Sequence, residues 1–346
     1  MRGLTISAHG GLDRIEVRDD LPLPSLSSNA QVRVRVLAAA LNHIDVFVVG
    51  GLPNVRITPP WIVGSDAMGV VDQVADGVTD VAIGDMVLIN PGVSDRTCAY
   101  CLAGEQPLCP RFGILGEQLP GTMAEYIVVP AANVRRVAPE TDPAAGAAFT
   151  LSTLTAWRMM TSRARLVAGE HVLIWGIGGG VAQACLQIAK LLGAHVTVTS
   201  GSDAKLERAV ALGADETINH RGTDVGKEIR SRTAKRGVDV VVDTVGEATW
   251  SQSLGALGRR GRLVTCGGTS GPMVTTDVRR LFWNQWSILG STMGNDAEFD
   301  AIVGHFRAGR LHPLIDRVYA LDDGQAAFER MASGEQFGKL VVRITS

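Results

Sequence analysis

Asp95, Cys98, Cys101 and Cys109 are spaced to hold a metal: Asp95-x2-Cys98-x2-Cys101-x7-Cys109, in a loop rich in turn residues. Three thiolates and a carboxylate can close a tetrahedral zinc shell. A closed shell leaves no position for a reactant, so the expectation is one structural zinc per subunit, in a lobe over residues 91–112. A second stretch, Gly176-Ile177-Gly178-Gly179-Gly180-Val181-Ala182, has the residue types of a phosphate-cradling turn. A third, Asn42-His43-Ile44-Asp45, places an amide, an imidazole and a carboxylate close together. The Asn42 amide suits hydrogen-bond donation and equally suits a turn's backbone. His43 suits proton relay near neutral pH or contact with phosphates. Asp45 suits orienting His43 or holding the turn.

Each stretch needs elements to position it. The first ~140 residues read as β-rich: Gln31–Val36 alternates polar and apolar residues, and short strands are expected at 69–74, 85–89 and 126–129. A low-charge, Ala-rich stretch runs from Pro143 to Ala156. The pattern then changes. His171–Trp175 is a continuous apolar strand, followed by Val181, Ala184, Cys185, Ile188, Leu191 and Leu192 at helical spacing up to Gly193. Strands at 195–199, 238–243 and 262–266 alternate with helices, which predicts a doubly wound parallel sheet. The chain finishes in a strand-like segment at 340–344. Cys185 and Cys266 fall on core-facing positions.

The glycine turn lies between strand and amphipathic helix, the context a dinucleotide fingerprint requires. Ile177-x-Gly179-x-x-Ala182 has the spacing with Ile first, and Gly176 can supply the tight turn. Gly179 lets the backbone approach a pyrophosphate. The helix start at Gly180, Val181 and Ala182 offers free N–H groups to it. The following strand ends in Ser200 where an NAD site would carry an acid. Ser200, Ser202 and Lys205, with His220 and Arg221, are expected to hold a 2′-phosphate, so NADPH is expected over NADH. Asp203 reads as a first-turn helix residue. Val245, Cys266, Gly267 and Lys339 complete the expected cofactor set, together with Ser291, Thr292 and Met293.

Taken together, these residues resemble the medium-chain dehydrogenase/reductase superfamily, its quinone oxidoreductase and zinc-type alcohol dehydrogenase-like branch, over essentially the whole chain. The matching pieces are Leu41–Asp45, Gly64-Ser65-Asp66-x-x-Gly69-x-Val71, the cysteine lobe, Gly179–Ala182, Gly290–Met293 and Phe337-Gly338-Lys339. The resemblance implies an α/β fold, with a GroES-like β-rich catalytic domain at 1–149 and 295–346 and a Rossmann domain at 150–294. It implies contact of Ser291–Met293 with the nicotinamide. It also implies a homodimer through the Rossmann sheets; a homotetramer stays open. Zinc alcohol dehydrogenases of this family carry Cys where this chain has Asn42, and Gly-His-Glu where it has Gly64-Ser65-Asp66. Near Phe149-Thr150, where another ligand would come, there is neither Cys nor His.

Without those ligands, a conjugated acceptor is the easier substrate, because charge spreads over an enolate or phenolate. The expectation is therefore an NADPH-dependent reductase of quinones or α,β-unsaturated carbonyls without catalytic zinc, using Asn42, His43 and Asp45. The alternatives are a zinc-dependent alcohol dehydrogenase with unusual ligands and a non-catalytic NADPH-binding protein. Trp61, Trp157, Phe282, Trp283 and Trp286 suit either a pocket for a flat substrate or ordinary core.

Composition bounds the rest. A chain of 346 residues with 46% apolar residues can build two cores. A formal charge of −2 without a basic stripe argues against nucleic acid. The uncharged run at 172–189 holds four glycines and two glutamines, so it reads as strand, turn and helix and no membrane span is expected. The N-terminus lacks a signal-peptide core. Five cysteines, three clustered, suit a reducing compartment, so the cytoplasm is expected, with a small-molecule substrate.

Overall fold

The computed structural model describes residues 1–53 and 55–345. The chain divides into two compact units, one formed by Met1–Ser152 with Gly294–Ser346 and the other by Thr153–Met293.

In the first unit the strand Gln31–Ala40 is the organising element. Val32, Val34 and Val36 are buried while Gln31, Arg33 and Arg35 are partly exposed, as the alternating pattern requires. It pairs antiparallel with Asp66–Val74 on one side and with both Lys339–Arg343 and Tyr126–Pro130 on the other. The C-terminal strand thus completes a sheet begun some 300 residues earlier. Its register pairs Val341 with Ala40 and Val342 with Ala39. Continued two residues, that register sets Lys339 opposite Asn42. The core beneath contains Leu4, Ile6, Val34, Phe328 and Leu340.

In the second unit six parallel strands run in the order 216–219, 195–200, 171–174, 238–242, 257–265, 287–290. This is the 3-2-1-4-5-6 arrangement of a dinucleotide-binding sheet. His171–Ile174 is central and wholly buried, which is why Val172, Leu173 and Ile174 follow His171 as an unbroken apolar run. The helix Gly180–Leu191 buries Ala182, Ala184, Cys185 and Ile188, and ends before Gly193, whose φ of +79° only glycine adopts readily. Leu191, expected on the apolar face, is 39% exposed.

The Ala-rich stretch forms the helix Pro143–Trp157. Among the described residues no helix is long and apolar enough to cross a membrane.

Candidate functional site

The first unit gathers a buried polar network around Asp66, which is 0% exposed. Its Oδ1 accepts from Thr150 Oγ1 at 2.6 Å and from the Leu151 N–H at 2.7 Å. Its Oδ2 accepts from Asn42 Nδ2 and from Lys339 Nζ, both at 2.9 Å. Lys339 Nζ also donates to Asn42 Oδ1 at 2.5 Å. The register explains the meeting: Gln31–Ala40 lies between the strands that bring Asp66 and Lys339.

Asn42 caps the helix His43–Gly50, and Asp45 Oδ2 accepts the Asn42 backbone N–H at 2.7 Å. Asp45 Oδ1 accepts from Ser65 Oγ at 2.8 Å. Asp45 is buried away from His43, at the helix's exposed first position, and it holds the turn. The His43 pKa is lowered by desolvation and then by the positive charge of Lys339. A zinc ion does not fit this network. Both oxygens of Asp66 are occupied, an ammonium stands beside them, and Asn42 and Ser65 are poor ligands.

Burial pushes the Asp45 carboxyl up to about 7, against 3.8 in the unfolded chain. Between those values the folded protein binds the extra proton, so this contribution to stability is whole below pH 3.8 and lost as pH rises through 7. The slope is up to about 1.4 kcal/mol per pH unit. Urea denaturation across this window is expected to show wild type losing stability relative to Asp45→Asn as pH rises. A constant difference between the two proteins would mean that Asp45 is ionised throughout.

In the lobe, the ligand atoms of Asp95, Cys98, Cys101 and Cys109 all lie within 4.8 Å of one another. The Cys109 sulfur accepts N–H groups of Asp95 and Arg111, and the Cys98 sulfur accepts that of Cys101. Such bonds stabilise thiolates, so the donor set fits a metal. Asp95 accepts the Thr97 and Cys98 N–H groups at 2.9 Å, which hold its carboxyl well below the usual range. Arg111 Nε lies 3.3 Å from its other oxygen.

In the second unit the ligand atoms of His171, His195 and Glu216 likewise all lie within 4.8 Å of one another. Each begins its strand; parallel pairing sets His171 opposite His195, and Glu216 opposite Thr197, two residues along from His195. His195 Nε2 is 3.1 Å from Glu216 Oε1, and His171 Nε2 is 2.7 Å from Thr197 Oγ1. Desolvation, then His195, pushes the His171 pKa down to about 4, which keeps that imidazole neutral and able to coordinate. Sequence reasoning missed this set. The signal was a His or Glu at the start of three neighbouring strands.

The remaining expected residues gather at the opposite, C-terminal edge of the same sheet. Gly176 (φ +67°) turns the chain after the central strand, and Gly179 caps the helix whose first residues are Gly180, Val181 and Ala182. Ser200 ends the neighbouring strand and accepts the Ser202 N–H. Arg221 and His220 side-chain nitrogens would each lie 3.1 Å from a Cβ at Gly201. Lys205 is in the helix Asp203–Ala211. Val245, Cys266 with Gly267, and Ser291–Met293 follow the fourth, fifth and sixth strands. Lys339 belongs to the first unit, committed to Asn42 and Asp66. These aromatic residues divide: Trp61 and Trp286 are buried, donating to the Gly116 and Gly258 carbonyls, whereas Phe282 and Trp283 are 64% and 73% exposed.

Residues 28–139 match the alcohol dehydrogenase GroES-like domain, and residues 180–307 match the zinc-binding dehydrogenase family. The chain is similar to a solved NAD-dependent alcohol dehydrogenase at 41% identity, covering 100% of both chains with a TM-score of 0.95. It belongs to the zinc-containing medium-chain dehydrogenase/reductase superfamily. As a member, it is a nicotinamide-dinucleotide-dependent oxidoreductase. This dehydrogenase/reductase is also similar to a cobalt- and zinc-bound alcohol dehydrogenase from Pyrobaculum aerophilum, at 34% identity over 99% of each chain, TM-score 0.88. It is 29% identical to the NAD-dependent alcohol dehydrogenase of Sulfurisphaera tokodaii, over 94% of this chain and 95% of that one.

These findings correct the expected function. An NADPH-dependent quinone or enone reductase without catalytic zinc is overturned by full-length similarity to NAD-dependent alcohol dehydrogenases and by the second metal-capable set. The alternative of an alcohol dehydrogenase with unusual ligands is the one supported. The family's ligand positions at Asn42, Ser65 and Phe149-Thr150 carry no zinc ligand, while the second set is assembled by strand pairing in the other unit.

Proposed function

We propose that this dehydrogenase/reductase is a zinc-dependent, NAD-dependent alcohol dehydrogenase. Its likeness across the full chain to an NAD-dependent alcohol dehydrogenase carries the reading. In the reaction, hydride leaves the carbinol carbon for the nicotinamide and the hydroxyl proton leaves for a base. His43 is the proton acceptor: desolvation and the positive charge of Lys339 lower its pKa and keep the imidazole neutral. The free N–H groups at Gly180–Ala182 bind the pyrophosphate. The exposed Asp203 carboxylate, three residues beyond Ser200, favours a free ribose over a 2′-phosphate, which supports NAD in place of NADPH.

Zinc is assigned to both ligand sets. In the lobe it is structural. At His171, His195 and Glu216, three ligands leave a fourth position open, the composition of a zinc that polarises an oxygen. That set lies across the sheet from the glycine turn, so His195→Ala is judged by metal content as well as turnover. Loss of one zinc with turnover supports a catalytic ion there; loss of one zinc alone makes it a structural ion of the sheet edge.

The first experiment follows absorbance of NADH formed from a panel of primary and secondary alcohols, with NADP⁺ as the competing coenzyme and zinc counted per subunit. Turnover with NAD⁺, two zinc ions, and a His43→Gln variant slowed about ten-fold near neutral pH are expected. Reduction of quinones with no alcohol oxidation would refute the proposal.

We also propose that it acts as a homo-oligomer in the cytoplasm. Among the described residues the strand Ser287–Gly290 pairs on one side only, and Val278, Phe282 and Trp283 on the adjacent helix are exposed. An open strand edge beside apolar side chains suits a second copy. Sedimentation at micromolar concentration is expected to give a dimer or tetramer for wild type and smaller species for Trp283→Glu; a wild-type monomer would end this idea.

A further inference from the structure

One buried carboxylate in the second unit has no part in the chemistry described above. Asp243 follows the fourth strand and is 0% exposed. Its Oδ1 accepts the N–H groups of Val245 and Gly246 at 2.9 and 3.0 Å. Thr249 Oγ1 lies 2.9 and 2.8 Å from its two oxygens, and Ser253 Oγ donates to Oδ2 at 2.6 Å. Every donor comes from the segment immediately downstream, so the carboxylate fixes the path of the chain as it leaves the sheet.

That segment is tied in turn to the loop after the fifth strand. Ser270 Oγ donates to the Val245 carbonyl at 2.7 Å and accepts the Ala248 N–H at 3.0 Å. The Ser270 N–H also reaches the Val245 carbonyl, at 2.8 Å, and the Glu247 N–H reaches the Gly271 carbonyl at 3.1 Å. The two loops meet backbone to backbone because glycines face each other. A Cβ at Gly246 (φ +88°) would stand 2.5 Å from the Gly271 carbonyl oxygen. Both loops leave the C-terminal edge of the sheet, on strands 4 and 5 of the 3-2-1-4-5-6 order. In that arrangement the first three strands serve one mononucleotide and the last three serve the other.

We infer that Asp243 is a positioning residue for the nicotinamide half of the coenzyme, acting through the paired loops at Val245–Glu247 and Gly268–Gly271. This rests on the NAD-dependent reading above. Both Asp243 oxygens accept only, so an amide there leaves one donor group unanswered and loosens the loop. The adenine half, held at Ser200 and Asp203, is independent of these bonds.

The test is a pair of titrations on the whole protein, NADH followed by energy transfer from tryptophan, and AMP followed by competition with NADH. Asp243→Asn is expected to weaken NADH about ten-fold while AMP affinity stays within about two-fold of wild type. Ser270→Ala removes only the surface hydroxyl and is expected to weaken NADH about three-fold with AMP unchanged; it decides the matter if Asp243→Asn does not fold. Equal loss of NADH and AMP, or wild-type NADH affinity in folded Ser270→Ala and Asp243→Asn, would overturn the inference. A wild-type protein that binds no NADH would overturn the coenzyme reading itself, and the titrations with NADPH would then decide the role of Asp243.

Discussion

Lys339→Met is expected to destabilise the protein by about 3–5 kcal/mol, the effect of removing one partner from a buried ion pair. Lys339 is 3% exposed and Asp66 is 0% exposed. With the ammonium gone, the Asp66 carboxylate keeps Thr150, Leu151 and Asn42 as donors but loses its only neighbouring cation among the described residues. Methionine fills much of the same volume, so the loss reports charge more than packing. In thermal unfolding the midpoint is expected to fall by about 10 °C. Adding Asp66→Asn to the variant is expected to restore part of this, because the unpaired charge is then absent as well. A single variant as stable as wild type would show that the pair is solvated and that the C-terminal strand is held by backbone pairing alone.

Cys101→Ser carries the second large effect. Cys101 is 6% exposed, and its sulfur is one of four ligand groups in the lobe. A serine hydroxyl is a far weaker zinc ligand than a thiolate. Zinc content is expected to fall by one ion per subunit, and the unfolding midpoint by more than about 5 °C, because metal that binds only the folded state adds its binding free energy to stability. Chelation of wild type, which strips both ions, is expected to lower the midpoint at least as far. Turnover per folded molecule is expected to stay largely intact. Lost turnover with unchanged zinc and stability would reassign the lobe to the reaction.

The two metal-capable sets differ in how they were legible. In the lobe all four ligands fall within fifteen residues, so spacing alone brings them together and the sequence points to the metal directly. His171, His195 and Glu216 are spread over 46 residues, and each looks like an ordinary strand start. Only the order in which parallel strands pair makes them neighbours. The proposed preference for NAD turns on a residue that sequence position alone does not mark: Ser200 holds the place where an acid is expected, and Asp203 supplies an exposed carboxylate from the first turn of the next helix.

The sequence by itself determined whatever is local or periodic: the strand–helix alternation from His171 onward, the glycine turn with its capped helix, the cysteine lobe, and the alternating strand at Gln31–Val36. Each follows from a repeat of two or 3.6 residues or from ligands a few residues apart, and neither depends on what the rest of the chain does. The tertiary structure alone decided the long-range pairings. Asn42, Asp66 and Lys339 meet because an antiparallel register joins segments nearly 300 residues apart, and the exclusion of water there turns three unremarkable polar residues into a charge-balanced network that leaves no room for a metal. Strand order likewise set His171, His195 and Glu216 on one edge of the parallel sheet and the dinucleotide turn on the other.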